Sequence, residues 1–304
     1  MKRIGLIGCG RWGRLILRDL RELDAAVHVA VPSEAGRRRA LELGAVDAYA
    51  CAEALDEKVE AFVVATPTVT HAQVIEGLVA TGKPIFVEKP MTCDVASARR
   101  LAAQAAGRLF VMDKWRHHPG VQALADMVKG GELGDILAIR SYRLGWGNPH
   151  RDVDAWWILL PHDLAITYHL LGVLPPAREA MLPTPGRADA DAIVVLGEEG
   201  GPRITIEIAS THPSSRRATV VQGTRASAEL ADSYDEHVLH GPWGRGLELP
   251  PPSRSPAAGE MPLKAELRAF LGFLDGGPPP MSSAAEGLMV VERIAELRAL
   301  AGLV

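Results

Sequence analysis

Along the first 115 residues, apolar positions fall in short unbroken runs separated by stretches of helical period. RIGLIG (3–8), VHVAV (27–31), AFVVAT (61–66), PIFVEK (84–89) and RLFVMD (108–113) lack the alternation of a half-solvated strand. They read as strands buried on both faces. Between them, Trp12, Ile16, Leu20 and Leu23 share one helical face. Residues 34–44 read as a helix stopped by Gly44, and 70–81 and 94–106 read as further helices. Strands alternating with helices in this way predict a doubly wound α/β domain with a parallel sheet, the Rossmann arrangement.

After about residue 118 the period changes. A helix is expected at 119–130, ended by Gly130 and Gly131. It is followed by longer segments, 135–146, 191–198, 203–210, 217–223 and 226–231, several of which alternate apolar and polar residues. That is the signature of antiparallel strands with one solvated face. The Pro/Ser-rich stretch 248–262 reads as a surface loop. Helices near 263–275 and 283–301 close the chain, the last with Val290, Ile294, Leu297 and Ala301 on one face. The expected division is therefore 1–118, a doubly wound Rossmann-type domain, and 119–304, an α/β domain with a large, mostly antiparallel sheet. The final helix is expected to pack back toward the first domain.

Composition narrows the classes of function. The chain has 304 residues, 47% hydrophobic and 23% charged, with a net charge of −4. Mild acidity argues against nucleic-acid or anionic-membrane partners, which call for a concentrated basic surface. The cysteines, Cys9, Cys51 and Cys93, follow no metal or disulfide spacing, and a reducing cytoplasm is the expected setting. No apolar run approaches a membrane span. Glycines at 5, 8 and 10 interrupt the first apolar stretch, so it does not read as a signal peptide. His117, His118 and His150 lack ligand spacing, and no metal is expected.

GLIGCGRWG places Gly8, Gly10 and Gly13 in G-x-G-x-x-G spacing, directly after a strand and at the start of a helix. Gly8 permits a tight turn, Gly10 lets backbone approach a pyrophosphate, and Gly13 lets helix and strand pack closely. The helix N-terminus presents N–H groups and positive dipole to the phosphates. Arg11 and Trp12, inside the motif, are expected beside the cofactor, and Cys9 reads as a small filler. An acid about 20 residues further on would bind the adenosine 2′-hydroxyl of NAD. Here the second strand runs into Pro32 and Ser33, followed by Glu34, Arg37, Arg38 and Arg39. A hydroxyl with Arg37 and Arg38 suits a 2′-phosphate, so NADP is expected over NAD. Glu34 leaves NAD open, and the arginines also fit the solvated face of a helix.

GKPIFVEKP sets Glu88, Lys89 and Pro90 at the carboxyl end of a strand, the edge at which open α/β sheets bind ligands. A lysine there can donate a proton or hydrogen bond to a substrate oxygen. Read alone, Lys89 also fits a surface ion pair. Taken with GLIGCGRWG, ATPTVTH (65–71) and GGELGDI (130–136), the sequence resembles the Gfo/Idh/MocA oxidoreductases. The resemblance runs in order from residue 3 to about 172 and then thins. It implies a two-domain enzyme acting on sugars, polyols or nucleotide-sugars with NAD or NADP. It also implies a homodimer or homotetramer built through the exposed sheet face. Carried over by residue, it places Gly8, Gly10 and Gly13 at the pyrophosphate, and Thr66 and Pro67 along the cofactor. His71 belongs to the same motif and is expected to serve structure more than cofactor contact. Lys89 becomes the catalytic lysine, with a bond before Pro90 that is often cis in the family.

The third family signature is an aspartate four residues before a histidine. WWILLPHD (156–163) matches the histidine at His162 and the aspartate after it at Asp163, but Ile158 stands where the first aspartate belongs. Trp157, Pro161, His162 and Asp163 look most like the branch associated with nucleotide-sugars and surface polysaccharides. Histidine's ordinary pKa suits a general acid/base. Against this, His162 also reads as a core histidine, and Asp163 as the cap of a helix starting near Pro161. Lys114 is a further candidate, able to stand in for the missing acid. His150 and Asp154, in NPHRDVDAWW, are candidates for substrate hydroxyls, with Asp163 beside them. Two other readings stay open: a dinucleotide-binding regulator without turnover, favoured by Ile158, and a biliverdin-reductase-like enzyme with a non-sugar substrate.

Overall fold

The computed structural model describes residues 1–148, 152–184, 186–242 and 251–303. His150 lies outside the described residues. The chain divides into two compact units, 1–114 with 261–291, and 115–260 with 292–304.

The first unit opens with six strands: β1 (Arg3–Ile7), β2 (Ala26–Ala30), β3 (Asp47–Tyr49), β4 (Ala61–Val64), β5 (Ile85–Glu88) and β6 (Leu109–Met112). They form one sheet in the order β3-β2-β1-β4-β5-β6, and every pairing is parallel. Strand order reverses between β1 and β4, and ligands of such sheets bind at the carboxyl ends beside that switch point. Four helices alternate with the strands: α1 (Arg11–Glu22), α2 (Glu34–Glu42), α3 (His71–Val79) and α4 (Val95–Gln104). Two starts are fixed by side-chain caps. Ser33 Oγ accepts from Gly36 N at 3.1 Å, and Asp94 Oδ2 accepts from Ser97 N at 2.7 Å. Strand β3 is absent from the sequence reading because it is only three residues long, with one polar and one small residue beside its tyrosine.

The second unit holds α5 (Pro119–Lys129), β7 (Ile136–Trp146), α6 (Ala155–Leu171), β8 (Ala177–Met181), β9 (Asp191–Leu196), β10 (Arg203–Ala209), β11 (Thr211–Gly223), β12 (Ala226–Leu230), β13 (His237–Pro242) and β14 (Ser253–Pro256). The eight strands run β14-β13-β12-β11-β7-β10-β9-β8, antiparallel except where β7 meets β10. One face is covered by α6, which packs on β7, β9 and β10 and against α5. Ile139, Ser141 and Arg143 of β7 point to that face, flanked by Ile204, Ile206 and Ile208 of β10 and by Val221, Thr219 and Arg217 of β11. Period-2 alternation is therefore real here, with two arginines and two hydroxyls set among the inward-facing positions.

Three expectations change in this unit. Helix α6 begins at Ala155 rather than near Pro161, so Pro161 lies inside it. Its cap is Asp154, which accepts from Trp156 N at 3.1 Å and Trp157 N at 3.4 Å, and Asp163 is no cap. The stretch expected to be only a loop contains β14, paired with β13. Proline and serine suppress the strand signal there, yet Pro256 fits the last position of an edge strand, where a missing N–H costs little.

The chain then returns to the first unit with α7 (Pro262–Leu274) and begins α8 (Ala284–Leu300), whose last residues belong to the second. Leu263, Leu267, Phe270 and Leu271 of α7 enter the same core cluster as Ile16, Leu17 and Leu20 of α1. Phe270 stacks on Phe86 with ring centroids 4.8 Å apart.

Candidate active site

At the head of β1 the glycine loop has the shape its spacing demands. Gly8 sits at φ +92°, and a Cβ there would lie 2.5 Å from the carbonyl oxygen of Ala65 in the turn after β4. A Cβ at Gly13 would lie 2.3 Å from the Gly8 carbonyl oxygen, so this glycine is what allows α1 to start against the turn. Gly10 differs. It is the N-cap of α1, no side chain caps it, the first turn carries no acid, and a Cβ there would meet open space. An uncapped, positively polarised helix end beside an open glycine fits a dinucleotide pyrophosphate. Replacing Gly13 with Ala forces backbone apart rather than a flexible side chain. Dinucleotide affinity is expected to fall by about tenfold or more. A fluorescence titration with reduced dinucleotide checks this, and an unchanged dissociation constant contradicts it.

Thr66 and Pro67 follow β4 in the turn that packs on Gly8. Buried His71 ties that turn to the neighbouring one. Its Nδ1 lies 2.9 Å from the Pro90 carbonyl oxygen and its Nε2 lies 3.1 Å from that of Thr66. The Lys89–Pro90 bond is cis. The ring thus holds together two stretches that the sequence assigns separately to cofactor and chemistry.

Around Lys89 the first unit gathers further charges. Trp12 Nε1 donates to Glu88 Oε1 at the end of β5, and Lys114 Nζ stands 4.2 Å from the centroid of the Trp12 ring. Burial raises the Glu88 carboxyl above its ordinary range, against the opposing charges of Lys89 and Lys114 and the Trp12 hydrogen bond. Glu266 of α7 is missed by the sequence reading. It is 1% exposed, and neither of its carboxyl oxygens has a hydrogen-bond partner. Burial first, then Glu88 and Asp113, push it well above the ordinary carboxyl value. Above that ordinary value the unfolded chain releases a proton that the folded chain keeps, so this residue lowers stability as pH rises. Glu266→Gln is expected to raise the melting temperature more at about pH 8 than at about pH 4.5, as thermal melts at the two pH values test. An equal change at both contradicts it.

In the second unit, His162 and Asp163 lie on α6. Nearly every residue of that helix is buried, which is why the run from Trp156 shows no polar face. His162 is 8% exposed, with its ring edge-on to Trp115 at 6.2 Å between centroids. Asp163, 1% exposed, accepts two bonds from Arg143, from Nε at 2.6 Å and from Nη2 at 3.0 Å. The Arg143 guanidinium lies over the Trp115 ring at 4.6 Å. Trp115 thus contacts both the histidine and the partner of the residue after it. Ile158, one turn before His162, is buried and aliphatic, and its side chain offers the ring no hydrogen bond.

The structure thus brings Gly8, Gly10, Gly13, Trp12, Thr66, His71, Glu88, Lys89, Pro90 and Lys114 together in the first unit, and His162 with Asp163 in the second. Asp154 is engaged otherwise. One carboxyl oxygen caps α6 and the other pairs with Arg298 Nη1 at 2.5 Å. Both oxygens thus help to hold the helix start. Ser33 is the cap of α2, Arg37 donates to the carbonyls of Val31 and Pro32, and Arg38 is exposed. Among the described residues no group of three histidine, cysteine or acidic side chains is placed to hold a metal, and no helix is long and apolar enough to cross a membrane.

A parallel sheet with its glycine loop at the switch point gives the first unit the Rossmann fold. Residues 2–111 match the family model GFO_IDH_MocA, the oxidoreductase family with an NAD-binding Rossmann fold. Over this stretch the chain is similar to the Gfo/Idh/MocA oxidoreductases. UDP-N-acetylglucosamine 3-dehydrogenase of Acidithiobacillus ferrooxidans is 31% identical over 180 residues, covering 57% of this chain and 55% of that protein. Inositol 2-dehydrogenase 2 of Saccharopolyspora erythraea is 28% identical over 225 residues, 67% of this chain and 66% of that protein. In sequence, then, the chain spans about half the length of the first curated relatives it matches, 46% and 55% of two of them. The fold extends further. The structure of the Acidithiobacillus dehydrogenase superposes over 99% of this chain and 97% of its own, with a TM-score of 0.85 at 23% identity.

Proposed function

We propose that the protein is an NAD(P)-dependent oxidoreductase that moves hydride between nicotinamide and a hydroxyl-bearing or carbonyl carbon of a sugar or nucleotide-sugar. The observation that carries this reading is the placement of Lys89 at the carboxyl end of β5, in the same unit as an uncapped glycine-loop helix. When bound, the dinucleotide accepts or returns the hydride. Lys89 holds and polarises the reacting oxygen with a cationic hydrogen bond. His162 takes the hydroxyl proton in oxidation and returns it in reduction, the work of a general acid/base. The resemblance of their motifs to the family's supports both roles. Relatives that carry sugar and nucleotide-sugar names support the substrate class.

NADP is the proposed preference over NAD. Ser33 stands where an acid would hold the 2′-hydroxyl, and exposed Arg38 follows it on α2. A homodimer or homotetramer is the proposed assembly, through the face of the eight-stranded sheet that α6 leaves uncovered. The test is steady-state absorbance of the reduced nicotinamide with both cofactors and a panel of free and nucleotide-linked sugars. Turnover with one sugar class, faster with NADP, supports the reading. Dinucleotide binding with no turnover of any sugar favours the regulator instead, and Ile158 is the observation on its side.

A further inference from the structure

The second unit holds a set of buried donors that its own acceptors do not satisfy. On the α6-covered face of the sheet, Ser141 lies directly opposite Thr219, and Arg143 directly opposite Arg217. Arg143, 3% exposed, engages Asp163 through Nε and Nη2, which leaves Nη1 on the other side of the planar group buried and without a partner. Ser141 Oγ is likewise buried and unpartnered. So is the indole Nε1 of Trp115, whose ring lies under the Arg143 guanidinium. Arg217 is half-buried and, among the described residues, has no ion-pair partner. Burial first, and the Arg143 charge second, push its pKa down.

Buried donors without acceptors are costly, and two guanidinium groups facing each other across strands repel. Asp163, the acid in the set, has both oxygens taken by Arg143. Asp232 and Tyr234 are the further acidic groups that act on Arg217, and the Asp232 carboxyl already accepts from the Tyr234 N–H at 3.1 Å. An arrangement with this excess of unpartnered donors is complementary to an oxyanion, for which guanidinium groups give fixed, charge-assisted hydrogen bonds.

We propose that Arg143, Arg217, Ser141 and Trp115 form an anion subsite for a carboxylate or phosphate carried by the substrate. Resting on the sugar-oxidoreductase reading above, this narrows the substrate to an acidic or phosphorylated sugar, nucleotide-linked sugars included. Asp163 follows His162 in sequence and grips Arg143, so the subsite adjoins the proposed proton shuttle. Arg217 is the half-buried member, and its replacement removes positive charge without breaking the Arg143–Asp163 pair.

The test is calorimetric titration of the full chain with glucuronate, glucose 6-phosphate and UDP-N-acetylglucosamine, with glucose and myo-inositol as neutral controls. At least one anionic sugar is expected to bind more tightly than the neutral ones. Arg217→Ala is expected to weaken that binding by about tenfold or more while neutral sugars change by less than about twofold, and Arg217→Lys to restore part of the loss. Glucuronate against the phosphorylated ligands separates a carboxylate subsite from a phosphate subsite. Neutral sugars binding as tightly as anionic ones, an Arg217→Ala variant equal to wild type, or no binding of any anionic sugar overturns the inference. Arg217-dependent binding of an anionic sugar without turnover upholds the subsite while the oxidoreductase reading fails. Turnover of neutral sugars alone, indifferent to Arg217, does the reverse.

Discussion

Lys89→Ala and His162→Ala are each expected to lower kcat by about 100- to 10,000-fold, the range lost when a positioned acid or base is removed. Dinucleotide affinity should hold to within a few-fold, because the glycine loop and the uncapped α1 terminus, rather than either side chain, are the groups proposed to hold the pyrophosphate. The two variants should differ in how they respond to substrate. Lys89 is proposed to bind the reacting oxygen throughout, so its loss should raise KM as well as lower kcat. His162 acts on the proton, so its loss should fall mainly on kcat. Steady-state kinetics with a turned-over sugar measure both. A kcat within a few-fold of wild type in either variant removes that residue from the mechanism.

Asp163→Ala is the substitution expected to damage the fold most. It leaves the Arg143 guanidinium, already buried beneath α6 and against Trp115, without its counter-charge. Breaking one side of a buried pair costs about 3–5 kcal/mol. In a unit of this size that corresponds to a fall in melting temperature of roughly 10 °C. Replacing both partners at once, Asp163→Leu with Arg143→Met, should recover much of the loss, because no charge is then stranded. Thermal melts of the single and double variants decide it. A single variant that melts within about 2 °C of wild type would mean that water reaches the guanidinium and the pair is not closed.

Much of this was legible in the chain itself, for physical reasons that differ by element. The parallel strands around 4–7, 61–64 and 85–88 announce themselves because burial on both faces leaves no polar position to confuse the pattern. The glycine loop is legible because each glycine answers a steric demand, Gly8 through its φ and Gly13 through its contact with the Gly8 carbonyl. Helix α6 was harder. Buried all round, it has no amphipathic face, and Pro161 reads as a start when tertiary packing carries the helix through it. Arg143 and Glu266 escaped because a lone charged residue reads as solvated. Yet each occupies a position its own element's period marks as inward: Arg143 follows Ile139 and Ser141, and Glu266 lies between Leu263 and Phe270 beside Leu267. A charge in a buried register was the available signal. The meaning of Ile158 was visible only in part. Sequence shows the missing carboxylate, and structure adds that the aliphatic replacement is buried one turn from His162.

The central claim is that this chain transfers hydride, and label transfer tests it most directly. The protein would be mixed with oxidised dinucleotide and the turned-over sugar, or the whole panel, deuterated at every carbon-bound position. The nicotinamide would then be analysed by mass spectrometry. The account predicts one deuterium carried from sugar carbon to the nicotinamide ring, and loss of that transfer in Lys89→Ala and His162→Ala. Tight dinucleotide binding with no deuterium on the ring from any sugar would contradict it.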